Sequence, residues 1–144
     1  MKLIAALVVA MLMACILPVN AARAGDAAAS DTQEFQRIIA AQIQAFRADD
    51  GPAAYSYAAP LIQKVFPTSD VFMDMVRKGY QPVYRPRVFD FGNIVDMNGQ
   101  PTQRVHVVGP DGRRVNALYL MTRLPDGSWR IDGCFLQAPE EHQV

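Results

Sequence analysis

Acid–base chemistry needs a titratable side chain held where burial can move its pKa toward neutrality. Asp132, His106 and Tyr84 are the residues of the right type. Strand alternation sets Asp132 with Arg130 and Cys134 on one face, opposite Trp129, Ile131 and Phe135, which form the better core face. Asp132 therefore reads as a solvent-facing carboxylate paired with Arg130 or Arg123. His106 shares a face with Arg104 and Val108, while Val105 and Val107 point toward a core, so it reads as a surface histidine. Cys134 would need a cation to lower its pKa before acting as a nucleophile, and Arg130 supplies only part of that argument. Burial of Cys134 as a small hydrophobe is the commoner use. No catalytic set assembles from these residues.

A ligand site is easier to draw. In the segment Gly79-Tyr80-Gln81-Pro82-Val83-Tyr84-Arg85-Pro86-Arg87, two prolines stiffen the chain while two tyrosines and two arginines project from it. Arginine offers a planar fork to carboxylates, and tyrosine offers stacking area with a polar tip. The plainer role of the same residues is a corner fixed by proline, padded by Tyr rings and edged by solvated Arg groups. The candidate ligand-binding residues are Tyr80, Tyr84, Arg85, His106 and Asp132. His106 and His142 stand far apart, with no H-E-x-x-H and no paired cysteines, so no metal site is read. No G-x-S-x-G elbow, phosphate loop or dinucleotide fingerprint occurs, which removes serine hydrolases, NTPases and Rossmann enzymes, and no cofactor is expected. Met73, Met75 and Met97 read as core filler.

The elements that must position these residues fall into two halves. Asp31 or Thr32 can cap a helix in which Phe35, Ile38, Ile39, Ile43 and Phe46 form one apolar stripe. Asp49-Asp50-Gly51-Pro52 stops it, and Pro52 suits the first turn of a short helix over 53–59. Leu61, Ile62, Val65 and Phe66 make an apolar turn closed by Pro67. Ser69 then caps a third helix with Phe72, Met75 and Val76 inward, ended by Gly79. From Tyr80 the pattern alternates, and turns at Asn98-Gly99, Gly109-Pro110-Asp111-Gly112 and Pro125-Asp126-Gly127 divide four antiparallel strands over 83–95, 102–108, 113–124 and 128–137. Pro86 and Gly92 mark the first as a bent or bulged edge strand. In the third, Val115, Ala117, Tyr119 and Met121 share one face and Leu118 and Leu120 the other, so both faces read as covered, one by helices and one by the sheet itself or a second copy.

The N-terminus reads as a cleavable secretory signal over residues 1–24. Lys2 is the positive end, residues 3–17 are apolar, and Ala22-Arg23-Ala24 places small residues before a cut between Ala24 and Gly25. The run is too short for a membrane span. Leu12-Met13-Ala14-Cys15 resembles a lipobox, but Ile16-Leu17-Pro18-Val19 stays apolar where a lipoprotein turns polar, so cleavage is favoured over anchoring through Cys15. The expected location is the periplasm or the medium. Losing Lys2 and Arg23 and no acid leaves 12 basic against 14 acidic groups, a net charge of −2 that gives no reason to bind nucleic acid. Cys134 then stands alone, so no internal disulfide forms. Residues 25–30 read as a flexible lead, 31–138 as one α+β domain and 139–144 as a polar tail.

Helices followed by a bent antiparallel sheet ending in Gly127-Ser128-Trp129-Arg130-Ile131-Asp132-Gly133 resemble the nuclear transport factor 2-like (SnoaL-like, cystatin-like) cone. More narrowly, Ile43-Gln44-Ala45-Phe46-Arg47-Ala48-Asp49-Asp50, Gly79 to Pro86, and Trp129 to Cys134 resemble an exported bacterial family called domain of unknown function 4864. The resemblance implies three N-terminal helices packed on a curved four-stranded antiparallel sheet and brings no activity to transfer; cone folds host enzymes, carriers and dimerisation modules alike. The expected function is non-catalytic binding of a small molecule or protein partner. The alternatives are a cofactor-free isomerase or hydratase using Asp132 or His106, and a structural homodimer joined through the sheet face.

Overall fold

Seven residues of the first helix, Phe35, Ile38, Ile39, Gln42, Ile43, Ala45 and Phe46, are buried, and their spacing of three and four places them on one side. The computed structural model describes residues 21–139, with side chains from residue 28. The signal reading, Cys15 and most of the polar tail with His142 lie outside the described residues. Helix α1 runs Ala21–Arg47, so residues 25–30 are helical where a flexible lead was expected. Ala27, Ala28 and Ala29 explain the difference, because alanine has the highest helix propensity and the run needs no apolar face to propagate an existing helix.

α1 ends where the sequence says it should. Asp49 takes a left-handed conformation (φ 51°), its N–H bonds to Phe46 O and that of Asp50 to Ala45 O, the paired closing bonds of a Schellman turn. Asp50 then caps α2 (Gly51–Ser56) by accepting from the Ala53 N–H at 3.1 Å, with Pro52 in the first turn. Beyond it come α3 (Pro60–Val65), α4 (Ser69–Gly79) and α5 (Gln81–Tyr84). Among the described residues five helices therefore replace the expected three. Pro60 and Pro82 each stand at the start of an extra one, where a fixed φ and a missing N–H suit a first turn. Thr68, not Ser69, caps α4, its hydroxyl accepting from Val71 N–H at 3.2 Å. Met73 joins Phe72 and Val76 in the core, and Met75 is half-buried.

The second half is one antiparallel sheet in the order β1-β2-β3-β4: Val88–Met97, Gln100–Val108, Arg114–Arg123 and Trp129–Gln137. The first strand begins later than expected, since residues 83 and 84 belong to α5 and Pro86 precedes the strand. The expected edge position and irregularity are both present: β1 is an edge strand, and its register shifts between Phe91 and Ile94, around Gly92. Gln103, fully buried, donates its amide to Gly92 O at 2.8 Å and so satisfies a carbonyl in this irregular stretch. Met97 and Gln100 close a two-residue hairpin through Asn98 and Gly99, both at positive φ, which is the type I′ geometry that Asn-Gly favours.

Val105, Val107, Ala117, Tyr119, Met121 and Ile131 cover the inner face and pack on the α1 stripe. A second cluster, of Phe46, Ala54, Ala58, Phe72, Met73 and Val76, joins α1, α2 and α4. The free edge of β4 is partly covered by the chain after α2: Ile131 N–H donates to Tyr57 O and Ala59 N–H to Ile131 O, both at 2.8 Å. That contact caps an otherwise unpaired edge. Among the described residues, no helix is long and apolar enough to cross a membrane.

Candidate functional site

The two core clusters do not close completely on each other. Between them lies a cavity of about 340 Å³, with α1 contributing Gln42 and Phe46, α4 contributing Phe72, Met75 and Val76, and the sheet contributing Tyr119 and the β4 stretch from Ile131 to Phe135. Ala58, Ile62 and Phe66 close one side, and Tyr80 and Val83 another. Its size is at the lower end of the range for small-molecule sites, and its wall is mostly apolar.

The register of β3 and β4 decides which polar groups reach this wall. Met121 pairs with Ile131 and Leu120 with Gly133, so Asp132 is an extra residue, a bulge. One inserted residue inverts the alternation that follows. Cys134 therefore pairs with Tyr119 on the inner face, while Phe135 pairs with Leu118 on the outer face and is 52% exposed. This corrects the sequence reading that put Cys134 on the solvent side with Asp132 and Phe135 in the core. Gly133, a residue depleted in strand interiors, is the signal in the sequence that could have located the bulge.

Tyr119, Cys134 and Tyr80 form the polar corner of the cavity. The Tyr119 hydroxyl is buried without a hydrogen-bond partner of good geometry; the Cys134 thiol, a weak hydrogen-bonding group, lies beside it without satisfying it. Burial pushes the Cys134 thiol up to about 12, against a smaller opposing effect of the Tyr119 hydroxyl. Burial also raises Tyr119 well above the ordinary phenol value, with Cys134 adding to it, and the same two causes raise Tyr80. All three groups are thus protonated and neutral at pH 7. On the opposite wall, the Gln42 amide nitrogen donates to Ala54 O at 3.2 Å.

The candidate residues are divided among three places. Tyr80 lines the cavity. Asp132 contributes to the wall, but its carboxylate accepts from Gln100 Nε2 at 2.9 Å, and Gln100 lies on the outer face in register with Thr102, Arg104 and His106. Tyr84 and Arg85 lie outside the cavity lining and fasten the end of α1: Arg85 Nη2 is 2.8 Å from Asp49 Oδ2, and the Tyr84 hydroxyl donates to Asp49 Oδ1. The Arg85 guanidinium also stacks 4.0 Å from the Tyr84 ring centroid and donates to Phe46 O. His106 is on the outer face, Nδ1 bonded to Asn116 Oδ1 at 2.8 Å, in a second hollow with Asp90 and Arg114. Asp132 and His106 do not share a cavity. Trp129 also stands apart from the pocket, packing edge-on against Phe35 at 4.7 Å and donating Nε1 to Asp31.

Residues 28–144, which include every cavity residue just named, match the family described as Domain of unknown function (DUF4864). The chain belongs to this family. No curated protein and no solved structure matches it. For this DUF4864 chain the cavity is what the fold itself points to. Of the residues singled out in the sequence, Tyr80 and Asp132 line the cavity; Tyr119 was not singled out as a polar group, because its hydroxyl matters only once neighbouring side chains leave it unpaired. No group of three or more His, Cys, Asp or Glu among the described residues is arranged to hold a metal.

Proposed function

We propose that this protein is a small-molecule binding domain that holds an apolar ligand between its helices and its sheet. The cavity of about 340 Å³ carries the reading: Phe46, Phe66, Phe72 and Met75 line it, and a well-packed interior would have filled such a space. Helices on one face of a four-stranded antiparallel sheet, with bulges that bend β1 and β4, support placing it among nuclear transport factor 2-like cones. The reading further takes the chain as exported after cleavage between Ala24 and Gly25, which would leave most of α1 in the mature protein. N-terminal sequencing of protein secreted from a bacterial host should begin at Gly25. Protein retained in the cytoplasm with Met1 in place would refute export.

The binding test uses N-phenyl-1-naphthylamine, a neutral dye that brightens in apolar sites. Purified protein should bind one dye per chain saturably, and Met75→Trp, which fills the cavity, should abolish the signal. A wild-type signal no greater than that of buffer would overturn the proposal.

A second reading, self-association through the outer sheet face, is favoured by the exposure of Val88 and Phe135 beside Leu118. Sedimentation should return a dimer that Phe135→Asp dissociates, and monomers at high concentration would exclude it.

A further inference from the structure

We propose that the ligand of this cavity is uncharged, with an apolar body and one hydrogen-bond-accepting oxygen that sits on the Tyr119 hydroxyl. The inference rests on the cavity being a binding site, and it names what that site selects. The first argument is charge. Among the described residues no Lys, Arg or His lines the cavity, so an anionic head group would give up its hydration with no described cation to replace it. Among the described residues the one carboxylate in the wall, Asp132, has Oδ2 bonded to Gln100 Nε2 of the outer face, which holds its charge toward that face and away from a cationic ligand inside.

The second argument is hydrogen-bonding capacity. Buried polar groups are nearly always paired, and an orphan needs an explanation. Tyr119 is 1% exposed, lines the cavity, and has a hydroxyl with no partner. Its polar neighbours are the Cys134 thiol and, further along the wall, the Tyr80 hydroxyl. All three carry a proton to donate. Neither neighbour accepts the Tyr119 proton in a bond of good geometry, and a carbonyl, ether or hydroxyl oxygen on an otherwise apolar molecule would do so.

Four naphthalenes with the same ring body separate the possibilities when each displaces N-phenyl-1-naphthylamine from the intact protein. They are 2-acetylnaphthalene with an accepting carbonyl, 2-ethylnaphthalene without one, 2-naphthoate with a negative charge, and 2-naphthylmethylammonium with a positive one. The ketone should bind more tightly than either ion. Tyr119→Phe should weaken the ketone about tenfold, the loss of one buried hydrogen bond, and change 2-ethylnaphthalene by less than about twofold. Equal effects of Tyr119→Phe on ketone and hydrocarbon, or either ion outcompeting the ketone, would overturn the inference while leaving the cavity a binding site. Failure of the dye and all four compounds to bind would overturn both. Circular dichroism confirms that Tyr119→Phe is folded before the comparison is made.

Discussion

Tyr119 in β3 and Cys134 in β4 are cross-strand partners on the helix-facing side of the sheet, brought into register by the bulge at Asp132. In a regular ladder continued from the Met121–Ile131 pair, Gly133 would stand opposite Tyr119, Cys134 would face outward opposite Leu118, and Phe135 would turn inward opposite Ala117. The bulge thus puts a thiol beside Tyr119 where a regular ladder would put a glycine, and it keeps the Phe135 ring off the helix-facing side. A locally irregular strand decides the chemistry of the cavity wall.

Replacing Tyr119 with phenylalanine should stabilise the empty protein. The hydroxyl is desolvated without a partner, and removing such a group recovers part of a penalty of about 1–3 kcal/mol. Urea denaturation should show a gain of about 1 kcal/mol. A loss of that size would mean that the hydroxyl is bonded in the folded state.

Alkaline pH should destabilise the fold through Cys134. Its folded pKa of about 12 lies above the unfolded value near 9.0, so above pH 9 the unfolded chain holds fewer protons than the native one. Its contribution is complete below pH 9 and is lost progressively as pH rises toward 12. Cys134→Ala should flatten the fall in urea midpoint between pH 9 and 11, relative to wild type. Steepness unchanged by the substitution would assign the alkaline loss to other groups, Tyr119 first among them.

Gly92 and His106 should be energetically coupled. A Cβ at residue 92 would lie 2.8 Å from His106 Nε2, so Gly92→Ala must turn the ring and break its bond to Asn116. The expected cost is about 1 kcal/mol, the usual worth of one hydrogen bond. In a His106→Ala background the same glycine substitution should cost almost nothing. Additive effects of the two substitutions would contradict the clash.

Asp49 should contribute to stability at neutral pH and not in acid. The Tyr84 hydroxyl, and then the charges of Arg85 and Arg77, hold its carboxyl below the ordinary value of 3.8. Its contribution is therefore present above pH 3.8 and lost as pH falls below it. Asp49→Asn keeps a residue that tolerates positive φ and removes the charge. Its stability deficit should shrink on acidification below pH 3.8 and also in 1 M salt, because the ion pairs are exposed to solvent. A deficit independent of both would trace the effect to the backbone turn.

The order of elements was legible because each rests on local physics. The α1 stripe follows from the 3.6-residue period, the Asp49 and Asp50 turn from left-handed tolerance and capping, and the 98–99 hairpin from the Asn-Gly pair. Gly92 likewise announced the irregularity in β1. Residues 83 and 84 were misread as strand because the alternation of Val83 with its neighbours looks extended over so short a run, whereas Pro82 fits equally well in a helical first turn.

The site itself was decided by tertiary structure. Its walls come from residues as far apart as Gln42 and Phe135, and no local pattern states that their side chains leave a gap. Tyr84 and Arg85 looked free in the sequence and are fastened by Asp49, 35 and 36 residues earlier in the chain, through contacts that only the folded geometry creates. Period-2 alternation is local information, but a single inserted residue inverts it, and whether a residue is inserted depends on the partner strand. The amino-acid sequence by itself determined α1, α2, α4, the turns and the four strands; only packing of β4 against β3 determined that Cys134 meets Tyr119, and only the packed interior left the Tyr119 hydroxyl without a partner.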